Sequence, residues 1–369
     1  MIPPAAIDLD DEVPAVGAKP LRRFWRAAFG FWSGDGAWIP WALIGMLIVC
    51  VVLQLLVQYR LNLWNRDFFN ALERRDTKDI LEQTYLLPAL AASSVIVAAT
   101  AVWGRMSFQR RWREWLTSSL LGLWLSNDNY RHLEAGPGEP QFAEYRIAED
   151  ARIATDAPID LLVGLLASIL TAATFVVVLW TVGGSLALDM FGTAFQLPGY
   201  LVFASIGYAM IATAMMMLVG RKMAHVIERK NQAESELKFA VARLRTSALQ
   251  PAASARQSAP VGFALSEVMR HWRRLRGQHV RTTLVSHANS LLAPLVGLIL
   301  CVPQYINHTM SLGEVTQAAA AFAAVQGAFN WLVDNYPRLA EWASSASRVG
   351  VLLLGLDVLP RLQAPADTG

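Results

Sequence analysis

Residues 160–182 read DLLVGLLASILTAATFVVVLWTV, and after Asp160 no charged residue appears before position 183. About 20 apolar residues rising 1.5 Å each cross the roughly 30 Å hydrocarbon core of a bilayer. Backbone N–H and C=O groups find no water there, so a run of this length must close its own hydrogen bonds as a helix; barrel strands need only about 10 residues. Working outward, five further windows of similar length stand out: 38–57, 85–104, 197–219, 284–303 and 312–333. The last is the least apolar, because Glu314, Gln317, Gln326 and Asn330 interrupt it. The expectation is an all-α membrane protein with six transmembrane helices.

Composition agrees with that reading. Of 369 residues 54% are apolar and 17% charged, against roughly 25% charged in soluble domains. The formal net charge of +3 is too small to mark a nucleic-acid binder. Cys50 and Cys301 both lie inside apolar runs, so neither a disulfide framework nor a zinc site is expected, and no cofactor is called for. Residues 1–20 carry Asp8, Asp10, Asp11 and Glu12 among prolines, without the basic start and apolar middle of a signal peptide. They read as a disordered cytoplasmic tail. The stretch LRRFWRAAFGFW at 21–32 mixes arginine with aromatics as an interfacial helix does, assigned here to 21–37. A six-helix membrane domain then occupies 38–357 and a C-terminal tail 358–369.

Orientation follows from the basic residues, since cytoplasmic loops retain an excess of Lys and Arg. With the N-terminus inside, cytoplasmic segments hold 27 of them and external segments five, all five in 58–84; segments 183–196 and 304–311 hold none. Both termini are therefore expected in the cytoplasm. The cytoplasmic connections 105–159 and 220–283 are long. Segment 220–246, GRKMAHVIERKNQAESELKFAVARLRT, is rich in Glu, Lys, Arg and Ala and free of proline, as a helix continuing into water would be. A Pro- and Ser-containing stretch at 247–262 breaks it, and helix resumes over 263–281.

Some polar residues could do chemistry. Glu149, Asp156 and Asp160 are spaced by seven and four and share one helix face at the entrance to span three. A carboxyl whose pKa is raised by burial can take and release a proton; a solvated face of mixed charge is the alternative. Glu228 and Glu236 share a face with Gln232 on the helix after span four. In span six Gln326, Asn330, Asp334 and Arg338 repeat every four residues, a stripe that must face water or protein rather than lipid. Helix–helix hydrogen bonds with an Asp334–Arg338 ion pair would also account for it. His287 is a single histidine within a span, more simply packed than proton-carrying. Most tryptophans cluster near span ends, as an interfacial belt does. The sequence offers no Ser/His/Asp set, no HExxH and no paired intramembrane aspartates, which disfavours an intramembrane enzyme.

Several strings together resemble one family: LNLWNRDFFNALERRD at 61–76, RWREWLT at 111–117, RIAED at 146–150, ELKFAVARLR at 236–245 and SLGEVTQAAAAFAAVQGAFNWLVDNYPRLAEW at 311–342. From about residue 38 to 350 the chain is similar to SbmA/BacA-like transporters, whose membrane domain is that of an ABC exporter half-transporter with long cytoplasmic helical extensions. The resemblance implies a homodimer working by alternating access on peptide-like cargo. It also implies that helix six lines the central cavity, so that Gln326, Asn330, Asp334 and Arg338 contact cargo. In ATPase-free members, glutamates of the extension after span four couple protons, which by motif position points to Glu228 and Glu234. A phosphate-cradling loop needs lysine after glycine. Here Lys19, Lys78, Lys222, Lys230 and Lys238 follow Ala, Thr, Arg, Arg and Leu, and only about 30 residues follow span six. WNRDFFNAL and DNYPRLAEW look closer to the ATPase-bearing branch. The expectation is an ABC permease with a separate ATP-binding subunit; a proton-driven importer and a non-transporting scaffold are the rivals.

Overall fold

A computed structural model describes residues 18–34, 36–126, 129–130, 143–190, 193–247 and 254–363. Eight helices and one hairpin carry the described chain: α1 (Ala18–Ser33), α2 (Trp38–Arg74), α3 (Thr77–Leu125), α4 (Ala143–Gly183), β1 (Ser185–Met190), β2 (Thr193–Pro198), α5 (Tyr200–Gly220), α6 (Met223–Ser247), α7 (Ser254–Ile306) and α8 (Leu312–Gln363). Five helical stretches are long and apolar enough to cross a membrane: α2, α3, α4, Tyr200–Arg243 and Val261–Ile306. The protein is an all-α membrane protein. The sixth expected span, 312–333, is helical within α8 but is not among these five, because its glutamines, Asn330 and Glu314 lower its apolar content. Residues 1–17, residues 248–253 of the expected break at 247–262 and residues 364–369 lie outside the described residues; from Ser254 onward the expected break is helix, the first turns of α7.

Two departures from the sequence reading are instructive. Segment 58–84, read as an external loop, is helical almost throughout, because α2 runs on to Arg74 and α3 starts at Thr77. Arg75 adopts a left-handed φ of 56°, which stops α2. The Asp76 carboxylate then accepts from the backbone N–H groups of Lys78 (3.0 Å) and Asp79 (3.3 Å), satisfying two of the donors left free at the start of α3. The second departure is the hairpin at 185–198, with Leu188 opposite Phe195. Its alternation of Leu186, Leu188 and Met190 with Ala187 and Asp189 is too short to stand out between two spans, and β2 takes Leu197 and Pro198 from the expected fourth span.

The chain divides into two compact units. Unit 1 is drawn from Met1–Arg60, Tyr85–Leu170 and Asn335–Gly369. Its core follows a four-residue repeat on α3, where Gly104, Phe108, Trp112, Leu116 and Leu120 are buried. Phe24, Ala28 and Phe31 of α1, Ile147, Ala151 and Ala154 of α4, and Val349, Leu352 and Leu353 of α8 pack with them. Phe31, Trp32, Phe108 and Trp112 form an aromatic knot with ring centroids 5.5–6.1 Å apart, edge-on contacts adding to the burial of their large surfaces.

Unit 2 is drawn from Leu61–Thr84 and Thr171–Asp334. Ala318, Ala321, Phe322 and Val325 of α8 bury against Phe175 and Leu179 of α4, Leu201 and Val202 of α5, and Ala293 and Cys301 of α7. Small residues let helix backbones approach closely where lipid removes the hydrophobic drive between helices. In both units the apolar windows leave large side chains outward, among them Val95, Ile96, Met210, Ile211, Leu218, Leu291 and Ile299. Such belts fit lipid rather than water.

Candidate functional site

In unit 1 the charged residues entering span three are organised by a local irregularity. The string RIAED, Arg146–Asp150, forms a π-helical turn within α4. A π turn inserts one residue and so shifts which side chains point inward. Ile147, Asp150 and Ala151 are turned into the core, while Glu149 stays half-buried. The Asp150 side chain is only 1% exposed. Arg348 of α8 grips it with Nε to Oδ2 at 2.8 Å and Nη2 to Oδ1 at 2.6 Å, and also donates to Ser344 Oγ (2.6 Å) and Ser345 Oγ (2.9 Å). The two-pronged geometry is specific to arginine.

The three sequence-selected acids continue this network. Glu149 accepts from Arg152 at 2.6 Å, and Arg152 lies 3.7 Å from Asp156. The hydrogen bond from Arg152 holds the Glu149 carboxyl below the usual carboxylate range. Burial pushes the Asp156 carboxyl up, against the pull of Arg152 and Arg113. Asp160 accepts from Gln109 Nε2 at 3.0 Å, lies 3.3 Å from Arg105 Nε, and pairs with Arg338. Gln109 Nε2 also donates to the Asp156 carbonyl at 2.7 Å. Trp342 Nε1 donates to the Ala154 carbonyl at 3.3 Å. Partners on α8 rise from 338 through 342 to 348 as those on α4 fall from 160 through 154 to 150, so the two segments run antiparallel. Arg338 therefore finds its carboxylate on α4.

Unit 2 handles polarity differently. Gln326 is 1% exposed, and its Nε2 donates to the Ser205 carbonyl (2.8 Å) and Ser205 Oγ (3.1 Å). Asn330 is half-buried and Asp334 exposed. At the start of α8 Glu73 Oε2 accepts from Leu312 N–H at 3.1 Å and Asn70 Oδ1 from Gly313 N–H at 2.9 Å. Ser311 and Glu314 close a reciprocal capping box, with Ser311 N–H to Glu314 Oε2 at 2.8 Å and Glu314 N–H to Ser311 Oγ at 3.3 Å. Asn62 Nδ2 donates to the Gln317 carbonyl at 3.0 Å. Gly313 is required by close approach, since a Cβ there would run into the Arg66 carbonyl oxygen. The strings WNRDFFNALE and SLGEVTQ thus form one joint, and the joint borders a cavity of about 480 Å3 lined by Glu73, Tyr305, His308, Ser311 and Glu314.

On α6 the two motif-selected glutamates part company. Glu228 is 79% exposed with His225 Nδ1 4.0 Å away. Glu234 accepts from Lys230 Nζ at 3.0 Å and Trp272 Nε1 at 3.2 Å, with Lys230 also 5.0 Å from the Trp272 ring centroid. The Lys230 hydrogen bond holds the Glu234 carboxyl below the usual carboxylate range. The structure accordingly brings Glu149, Asp156, Asp160 and Arg338 into one network in unit 1, and places Gln326, Asn330, Asp334, Glu228 and Glu234 in unit 2. Sequence reasoning missed Asp150, Arg348, Arg105, Gln109, Ser205, Asn70 and Glu73 as partners. One signal was available: Arg348 stands alone in the apolar, small-residue run ASSASRVGVLLL, and an arginine there calls for a carboxylate.

Comparison with known proteins fits this helical plan. The inner membrane ABC transporter ATP-binding protein YddA of Escherichia coli is 26% identical over 314 residues, 82% of this chain and 56% of the relative. An uncharacterized ABC transporter ATP-binding protein of Synechocystis is 22% identical over 338 residues, covering 90% of this chain and 49% of the relative. Another from Haemophilus influenzae is 22% identical over 326 residues, covering 86% and 54%. The chain spans about half the length of these curated relatives. The model of the family described as ABC transporter transmembrane region 2 matches residues 35–306, most of the membrane-crossing helices described above, and the chain belongs to that family.

Proposed function

We propose that this chain is the permease half of an inner-membrane ABC transporter of the SbmA/BacA-like type. It pairs with a second copy, encloses a cavity between the two, and moves peptide-like cargo by alternating access with both termini in the cytoplasm. A separate ATP-binding subunit supplies the work. The observation that carries this reading is the family match over residues 35–306, joined to relatives named ATP-binding proteins of which the chain covers about half. No cofactor or nucleic acid enters the mechanism.

Two features of the structure favour ATP over protons as the energy source. Glu234 is tied to Lys230 and Trp272 and held charged through neutral pH, whereas a carrier must exchange its proton within the cycle. Glu228 is an exposed side chain on the solvated surface of α6. Cargo contact is assigned to Asn330 and Asp334, which keep solvent-accessible surface on α8, with Gln326 and Arg338 fixing the helix that presents them. The network of Glu149, Asp156 and Asp160 fixes α4 against α8 in unit 1.

The test is uptake of a toxic proline-rich peptide by cells expressing the chain together with its ATP-binding subunit. Uptake that persists with Glu228→Gln and Glu234→Gln and ignores a protonophore supports the reading; uptake abolished by either substitution or by the protonophore replaces it with the proton-driven one. Orientation is tested separately: cysteine at Asn307 labels with an impermeant thiol reagent from outside, and cysteine at Arg274 does not.

A further inference from the structure

α1 is two-faced in an unusual way. Its inner face, Phe24, Ala28 and Phe31, is buried in the unit 1 core, and it is pinned there twice. Arg23 pairs with Asp357 at 2.6 and 2.9 Å, and Gly350 lets the Pro20 backbone approach where a Cβ would collide. The outer face is not an ordinary polar surface. Arg22, Trp25, Arg26 and Phe29 all lie exposed at spacings of three, one and three, one stripe that alternates guanidinium with aromatic ring. Trp25 is 40% exposed and Phe29 66%. Among the described residues Arg22 and Arg26 pair with no carboxylate, in contrast to Arg23 one residue away. The stripe runs on into exposed Trp38 and Trp41 at the start of α2, with Trp41 Nε1 donating to the Trp32 carbonyl at 3.4 Å. Beyond these, Ile48, Val49, Val52 and Leu53 present outward aliphatic surface.

We infer that the outer face of α1 is a docking surface for anionic phospholipid, with Arg22 and Arg26 taking the headgroup phosphate and Trp25 and Phe29 seated at the boundary between headgroup and acyl chain. The inference rests on the interfacial placement of α1. Charge complementarity and continuity with the apolar face of α2 select a lipid: a protein partner would leave the aliphatic surface of α2 to lipid anyway, and a soluble anion would have no use for the two rings. Arginine supplies the forked donor geometry that phosphate accepts, and aromatic rings settle at the headgroup level. Because the inner face is locked into the core, lipid captured here bears directly on the helices that α1 braces, α3 and α8.

The test is native mass spectrometry of the full chain in detergent, titrated with phosphatidylglycerol or phosphatidylcholine, comparing wild type with Arg22→Gln/Arg26→Gln and with Arg273→Gln/Arg274→Gln on α7 as a charge-matched control. The expected result is preferential retention of phosphatidylglycerol by wild type and the α7 control, and a loss of about 30-fold in the α1 double variant. That factor corresponds to about 1 kcal/mol for each basic residue at an anionic surface. Inorganic phosphate in excess should leave the adducts in place. Equal retention of both lipids, undiminished binding by the α1 variant, or displacement by inorganic phosphate would overturn the inference. A separate arm attaches an environment-sensitive fluorophore at Phe29→Cys in vesicles of phosphatidylcholine alone: quenching by brominated acyl chains checks interfacial placement without reference to headgroup charge, so failure of the placement and failure of lipid selectivity give different results.

Discussion

The same helix, α8, is held mainly by amides, a hydroxyl and capped backbone groups in one unit and by ion pairs in the other. In unit 2 its Gln326 donates to Ser205, the amides of Asn62 and Asn70 meet its backbone, and the Glu73 carboxylate caps its first turn. In unit 1 its partners are Asp150 for Arg348, Asp160 for Arg338 and Arg23 for Asp357. The difference follows the residues that surround each part of α8. An ion pair taken out of water loses solvation that its own attraction barely repays, whereas an amide hydrogen bond between helices is tolerated within lipid.

The largest expected effect lies in unit 1. Arg348→Ala leaves the Asp150 carboxylate buried and uncompensated, and should lower stability by about 3 kcal/mol, read as thermal unfolding of the detergent-solubilised chain. Arg348→Lys should recover only part of this, because an ammonium cannot make the two-pronged contact. A loss below 0.5 kcal/mol would show that Asp150 does not depend on this partner.

Next comes the joint in unit 2. Gly313→Ala places a methyl against the Arg66 carbonyl oxygen and should cost about 2 kcal/mol through forced backbone movement. Gln326→Ala removes two hydrogen bonds within the apolar part of α8 and should cost about 1 kcal/mol. If Gln326→Ala proved more damaging than Arg348→Ala, the contrast between the units would be reversed.

The fold was legible in the sequence wherever a long apolar run met a simple rule: 160–182 had to be a helix. The core face of α3 at Phe108, Trp112, Leu116 and Leu120 lay in 105–159, read only as a long cytoplasmic connection. The fold was less legible where structure is decided at one residue. Arg75 entering the left-handed region and Asp76 capping the next helix turned an apparent loop into two helices. The network in unit 1 was half visible. Glu149, Asp156 and Asp160 fall on one face by helical spacing, but Asp150 became inward only through the π turn, which no regular period anticipates. Partner choice was the least visible part, because pairing Asp160 with Arg338 requires knowing that α4 and α8 run antiparallel.

The smallest effects belong to α6. Glu234→Gln removes a half-exposed contact with Lys230 and should change stability by less than about 0.5 kcal/mol. Its pH dependence has a defined sign: a carboxyl held below its ordinary value of about 4.3 contributes stability that is complete above that value and is lost as pH falls through the lowered one. Glu149 acts in the same direction. Melting temperature should therefore show no pH dependence from either group between pH 6 and 8, where both contributions are complete, and the difference between wild type and Glu234→Gln should vanish only in acid. A difference that titrates near neutral pH would make Glu234 a proton carrier after all.

The central proposal is that the chain is the membrane half of an ATP-driven transporter. Its most direct test is peptide accumulation in inverted or right-side-out membrane vesicles from cells co-expressing the chain with its ATP-binding subunit, compared with vesicles whose subunit carries a substitution of the phosphate-binding lysine. The account predicts accumulation that requires ATP, is lost with the lysine substitution and is indifferent to a protonophore. Accumulation that proceeds without ATP and collapses with the protonophore would contradict it.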